Sequence, residues 1–325
     1  MKFQRRILGA LVTGLAFTCA SGTAWAQPFP NKPIRMVVPY PPGGATDVIA
    51  RLISTKLTAK WGQPMVVENR AGAGTTVGAE FVAKSAPDGY TLYETTATHT
   101  VSASLYPKLN YDPIGGFTPI TLTATIPLVL VTANNVPART LDELMKWIKA
   151  QPNGASIASP GNGSVQHLTS ELFKLKTGIK GVHIPYKGGS PMVNDLLGGQ
   201  VNMAFVTLSE VAPHIKAGKI RAIALAHDKR MSSLPDIPTF AEQGMPGFIS
   251  ATWFGTFAPA GLPVELRDRI YRDIAAIVAM PDVKQTLVDM GAEINNLDPQ
   301  GFSKLINAEN ARWAEAVKVS GARVD

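Results

Sequence analysis

Two glycine turns and a serine–histidine pair are the stretches of this chain whose residue types could do chemistry. The first turn, Pro39-Tyr-Pro-Pro-Gly-Gly44, separates the apolar run Ile34–Val38 from an amphipathic run that begins Ala45-Thr-Asp47. Behind Pro41, the adjacent Gly43 and Gly44 let the backbone approach a ligand closely. The free N–H groups of a helix's first turn bring the positive end of its dipole to the same place. Such a turn can receive a small anion, and read alone it is equally an ordinary strand-to-helix connection. The second turn, Pro160-Gly-Asn-Gly163 with Gly161 at its centre, follows Ser159 and precedes Ser164-Val-Gln-His167. Ser164 and His167 lie three apart and could share a helix face as nucleophile and base. No G-x-S-x-G elbow exposes the serine, and no acid is placed to orient the imidazole. Ser164 therefore reads as an N-cap for the following helix. His167 reads as a wall of an anion pocket or as a buried structural donor.

Three further groups invite chemistry. Asn69-Arg-Ala-Gly-Ala-Gly-Thr-Thr-Val-Gly78 has the spacing G-x-G-x-x-x-G, and Glu94 falls where a ribose-binding acid is wanted, so a nicotinamide enzyme is an alternative. That fingerprint belongs after a domain's first strand, whereas here it follows the second, and the loop is read as structural. Thr95 and Thr96 place hydroxyls at the carboxyl end of a strand, where open α/β sheets bind ligands, or where they cap the next helix. His99 has no partner at metal-ligand spacing and is read as a satisfied loop residue. Asp47 complements a helix dipole or, facing a cleft, repels a second carboxylate and welcomes an ammonium or hydroxyl.

The elements that must position these groups alternate between strand and helix. Strands are expected at Ile34–Val38, Pro64–Glu68, Tyr90–Glu94, Pro127–Thr132, Ser156–Ser159, Ile220–Leu225 and Thr252–Ala258. Helices are expected from Val48 to Gly62, from Gly78, over Leu141–Lys149, after Ser164, from Pro263 and through Phe302–Val317. The strand, glycine turn and helix of the opening recur at Ser156, which suggests two lobes with facing loops. A chain of 325 residues with 45% apolar and 17% charged residues is long enough for two lobes and has a core to bury.

Residues 1–26 have the pattern of a cleaved export signal: basic Lys2, Arg5 and Arg6, apolar Ile7–Ala20, and Ala24-Trp-Ala26 before Gln27. No later segment has the 18 to 20 apolar residues, roughly, that a membrane span needs. Losing three basic residues lowers the net charge from +7 to +4. No dense Lys/Arg run with interleaved aromatics points to nucleic acid. The one cysteine, Cys19, leaves with the signal, so disulfides and thiolate metal sites are excluded from the mature chain.

Seven runs occur in a fixed order: Pro39–Asp47, Val66–Gly74, Ala86–Leu92, Ser159–Ser164 with His167, His183–Gly188, Pro213–Gly218 and Ala258–Gly261. Together they resemble the Bug-type, or tripartite tricarboxylate transporter, substrate-binding proteins across essentially the whole mature chain. The resemblance implies a two-lobed α/β periplasmic-binding-protein fold of type II-like form with a ligand cleft between lobes. It implies a first lobe of residues 27–127 plus 251–325 and a second of 128–250. It also implies a periplasmic monomer without cofactor, metal or catalysis, which captures a small organic carboxylate and passes it to integral membrane transporter subunits. Carried over from the family, the carboxylate-binding positions are Pro41, Gly43, Gly44, Thr46 and Asp47 in the first turn. In the second they are Ser159, Gly161, Gly163, Ser164 and His167, with Thr95, Thr96 and Thr207 shaping the far end. Neither turn has Arg or Lys, so dipoles would hold the carboxylate. Glu94, where small residues are common in the family, and Val206, where an acid is common, leave the ligand's distal group open. Lys187 is read as structural, and Trp253 as either a reporter of lobe closure or simple packing. The competing readings are an exported Ser/His hydrolase or nucleotide-dependent enzyme, and a ligand sensor for a membrane receptor.

Overall fold

The structure, a computed structural model, describes residues 29–106 and 108–320; the expected signal at 1–26, with Cys19, lies outside the described residues. Its sheet is built from one plan used twice. In the first set, β1 (Ile34–Val38) pairs in parallel with β2 (Met65–Asn69) and β3 (Thr91–Thr96), and β9 (Ala251–Pro259) runs antiparallel to β3. In the second set, β5 (Ala155–Ser159) pairs in parallel with β6 (Gly181–Pro185) and β7 (Met203–Thr207). There the antiparallel neighbour of β7 is β4 (Phe117–Thr132), which also pairs with β8 (Arg221–Leu225). Helices α1 (Ala45–Trp61) and α2 (Thr76–Ala83) return the chain between the parallel strands of the first set. Helices α5 (Val165–Thr177) and α6 (Gly189–Leu197) do so in the second.

β4 joins the sets. Its residues Phe117–Pro127 pair with β9, and Leu128–Thr132 pair with β7 and β8. Only the second half was expected from the sequence. Pro119 and Pro127 cannot donate to a ladder, and the register slips between Pro119 and Thr121 and again between Leu122 and Ala124. The interrupted pairing hides the first half of a strand that is 16 residues long.

The central parallel strands β1 and β7 are short apolar runs because both faces are covered. On β1, Met36 packs into one core layer with Ile49 and Ile53 of α1, and Val37 into the other with Tyr93 and Phe257. Helix α8 (Val264–Val278) buries Ile270, Ile274, Ile277 and Val278 in the first layer, beside α9 (Pro281–Asp289). Helix α10 (Pro299–Ser320) buries Phe302 and Trp313 in the second layer. Trp253 meets Phe302 edge-on at 5.4 Å and therefore serves as core packing.

Two local expectations change. Helix α2 starts at Thr76, after a 3-10 turn at Ala73–Thr75, and Gly78 lies inside it. A Cβ at Gly78 would stand 3.0 Å from the Pro39 Cβ, so glycine here allows close packing rather than a helix start. His99 is not a loop residue: it belongs to α3 (Thr98–Leu105) and is buried among Tyr93, Phe117 and Phe257. Burial holds its imidazole down to about 4, so it is a neutral core ring at pH 7.

Candidate ligand site

The carboxyl ends of the parallel strands of both sets converge on a cavity of about 40 Å³. That is room for roughly three waters or a few ligand atoms. Five helix starts contribute to its walls. Gly44, Ala45 and Thr46 belong to the cap and first turn of α1, and Thr98 begins α3. Gln166 lies in the first turn of α5, Gly189 and Ser190 begin α6, and Thr207 caps α7 (Leu208–Lys216). Five N-terminal turns thus contribute to one space, and among the described residues no Arg or Lys lines it. The fractional positive charges of helix ends supply the field instead.

The two sets meet tightly around this space. The Pro41 ring lies so close to Gly188 that a Cβ there would stand 2.9 Å from its Cδ, and Gly188 has φ +121°. Tyr40 and Thr96 share a hydrogen bond of 2.6 Å between their hydroxyls. Burial pushes the Tyr40 phenol up to about 12, which keeps it neutral. Across the cavity Gln166 Nε2 donates to Thr207 Oγ1 at 3.0 Å. Phe254 and Thr252 of β9 complete the lining.

Of the positions expected from the sequence, Pro41, Gly44, Thr46, Thr96 and Thr207 line the cavity. The others stand behind them. Asp47 turns into the protein: its Oδ2 accepts from Gly43 N at 3.0 Å and Arg51 Nε at 2.9 Å, and its Oδ1 accepts from Asn69 Nδ2 at 2.9 Å. Burial raises this carboxyl, but the bonds from Arg51, Gly43 and Asn69 outweigh it and hold the group below the ordinary carboxylate range. Asn69 also donates to Tyr40 O at 3.0 Å. The loop that imitates a dinucleotide fingerprint thus begins with a brace for the first glycine turn. Replacing Asp47 with alanine leaves the Gly43 amide without its acceptor and Arg51 without its ion pair. Urea unfolding is expected to show a loss of about 1–3 kcal/mol.

The second glycine turn is closed on itself. Ser159 Oγ contacts Gly161 O at 3.0 Å and His183 Nε2 at 2.7 Å, and Gly161 N donates to Ser159 Oγ at 3.2 Å. Ser164 is the N-cap of α5, accepting from His167 N at 3.1 Å and donating to Gly161 O at 2.8 Å. His167 is an acceptor rather than a donor here, taking the Gly163 N–H on its Nδ1 at 3.1 Å. Its ring stacks on His183 at 3.8 Å, and burial holds both imidazoles down to about 4. Ser164 therefore gives its proton to a carbonyl and not to the imidazole. Thr95 faces away from Thr96 and is buried on the side of Tyr93. Of this turn only Pro160 reaches the cavity.

Glu210 is the ionisable lining residue that the sequence motifs did not single out. It sits in the first turn of α7, and its carboxyl accepts the Ala45 N–H of α1 from across the cleft. Gly189 and Ser190 were also missed, although Gly188-Gly-Ser-Pro191 repeats the glycine-turn signature a third time.

The family model described as "Tripartite tricarboxylate transporter family receptor" matches residues 49–321. The chain belongs to this receptor family. Three solved structures agree with the assignment. The "periplasmic binding protein BugD" is 33% identical, covers 91% of this chain and 99% of its own, and superposes with a TM-score of 0.86. Rpa4515 of R. palustris, solved with adipate, is 34% identical over 91% of this chain and 100% of its own, with a TM-score of 0.88. MatC of Rhodopseudomonas palustris, with bound malate, is 32% identical over 89% and 100%, with a TM-score of 0.84. Receptors of this family are two-lobed substrate-binding proteins and not enzymes, which removes the hydrolase and nicotinamide alternatives. Among the described residues no helix is long and apolar enough to cross a membrane.

Proposed function

We propose that this receptor is exported by the signal at residues 1–26 and works in the periplasm as a monomer. It closes on a small organic carboxylate and delivers it to the membrane subunits of a tripartite tricarboxylate-type transporter. One observation carries the ligand class: five helix N-terminal turns around a cavity that, among the described residues, no Arg or Lys lines. A carboxylate is small, anionic and satisfied by backbone amides and hydroxyls, and preorganised dipoles bind it without an ion pair. The dicarboxylates held by two neighbours support the same class.

Pro41, Gly44 and Thr46, with Thr96 and Thr207, touch the ligand. Gly43, Asp47, Ser159, Gly161, Gly163, Ser164 and His167 hold the turns that present it, and Thr95 is buried in β3 behind Thr96. The lobes are assigned to 27–127 plus 251–325 and to 128–250, supported by the change of β4's partners between Pro127 and Leu128. A thermal-shift screen with malate, adipate, tricarboxylates, aromatic acids and amino acids tests the proposal. An acid at 100 times its Kd adds about 2.7 kcal/mol and raises the melting temperature by a few degrees. A panel in which no carboxylate shifts the melting temperature would refute it.

A further inference from the structure

The cavity surrounded by helix N-termini contains one acid of its own. Glu210 reaches across from α7, and the Ala45 amide of α1 donates to its carboxyl. Its second oxygen, Oε2, is buried and has no hydrogen-bond partner. The space it fills is made for it: a Cβ on Gly189 would overlap Oε2 and stand 2.7 Å from Oε1. Glu210 therefore occupies one first-turn amide of α1 that a ligand carboxylate would otherwise use, and it presents an unpaired oxygen beside the ligand space.

Among the described residues no positive group answers this charge. On α1, Asp47 and Arg51 are turned away and paired with each other. The Tyr40 phenol is neutral, and Lys187, in the turn before α6, is exposed. On α5, His167 faces His183, and the basic residues of α7, His214 and Lys216, are in its last turn. An ionised Glu210 would repel an incoming carboxylate and leave Oε2 without a donor. A protonated one supplies the O–H that both carboxyls need.

We propose that Glu210 takes part in recognition as a proton carrier, so that the receptor captures an organic carboxylate together with one proton shared between Glu210 Oε2 and the ligand. This rests on the carboxylate-receptor function proposed above and specifies how its site tolerates two acids. No bond is made or broken except to hydrogen: one proton enters from solvent when the carboxylate binds to ionised Glu210. Burial already brings the Glu210 carboxyl up to about 7 without ligand, which places the coupling in the neutral range.

The test is titration calorimetry of the purified protein with malate and, separately, adipate between pH 6.5 and 9, in phosphate and in Tris. The expected result is a Kd that rises about tenfold per pH unit above the neutral range, with close to one proton taken up per ligand at pH 8. Glu210→Gln keeps an uncharged donor that does not titrate. Its ratio of Kd at pH 9 to Kd at pH 6.5 is expected to fall from roughly 100-fold to under about 3-fold. If that variant does not fold, the wild-type slope and proton count decide alone. Binding with a flat pH profile and no proton uptake would overturn the proton role and leave the receptor function standing. So would an unchanged slope in Glu210→Gln. Binding that strengthens as pH rises would overturn it, because capture would then favour the ionised Glu210. Absence of binding by either acid at every pH would overturn the carboxylate reading and this inference with it.

Discussion

Gly163→Val is expected to weaken capture of malate or adipate by at least ~100-fold while both sheets stay folded. Gly163 has φ +73°, and a Cβ there would run into the Leu105 side chain and stand 3.7 Å from Val101 Cγ1. Leu105 and Val101 belong to α3 on one side of the cleft, and Gly163 belongs to the turn before α5 on the other. The left-handed backbone costs a branched residue about 1–2 kcal/mol. The overlap adds to this only when the two sides are together, so it falls mainly on the closed state. A loss of a few kcal/mol there reduces the population able to hold ligand and lowers apparent affinity in proportion. Calorimetry gives the affinity, and a melting curve without ligand gives the fold. Leu105→Ala in the same chain is expected to restore part of the affinity, because it empties the space the new side chain needs. An undiminished affinity in Gly163→Val would show that the ligand-bound receptor does not make this contact.

The second large effect is on stability and depends on pH. Glu94 lies on β3, fully buried, with one oxygen accepting from Thr256 Oγ1 at 2.6 Å and the other without a partner. Burial drives its carboxyl up to about 8, against an ordinary 4.5. A carboxyl whose folded pKa is raised stabilises the fold fully below its unfolded pKa. That contribution is lost as pH rises through the folded value, here between about 4.5 and 8. Glu94→Gln removes the charge that must be buried. It is expected to melt close to wild type at pH 4.5 and several degrees higher at pH 9, where the difference is on the order of a few kcal/mol. Equal melting temperatures at pH 9 would mean that the Glu94 carboxyl ionises freely where it is. Glu94 faces the same side of β3 as Thr96 but does not line the cavity, so its effect belongs to the fold and not to the ligand's distal end.

The parts of this fold that could be read from sequence are those where several local signals agree. The run Ile34–Val38, the Pro/Gly punctuation after it and the stripe closed by Gly62 all describe β1, its turn and α1. Ser164 was legible as a cap because capping is a contact over three residues. Helices α6 and α7 were not read, since Pro191 and Pro213 inside them mimic breakers. The site was harder still. Glu210 meets Ala45, and Phe254 meets Thr96, only because the chain brings distant segments together, and no spacing records such a meeting. Asp47 was ambiguous for the same reason: Asn69, which decides where its carboxylate points, lies on the next strand.

The shared strands also govern the order in which the molecule can form. β9 is the antiparallel neighbour of both β3 and the first half of β4, through pairs as distant in sequence as Tyr93–Phe257 and Pro127–Ala251. The sheet of the second set, by contrast, is complete once β8 ends at Leu225. Closing the longer loops costs more chain entropy and is slower. The continuous second set can therefore assemble first, while β1, β2 and β3 wait for a partner made near the end of synthesis. A chain whose leading third cannot finish folding until its last third arrives stays threadable for longer, which suits the export proposed above.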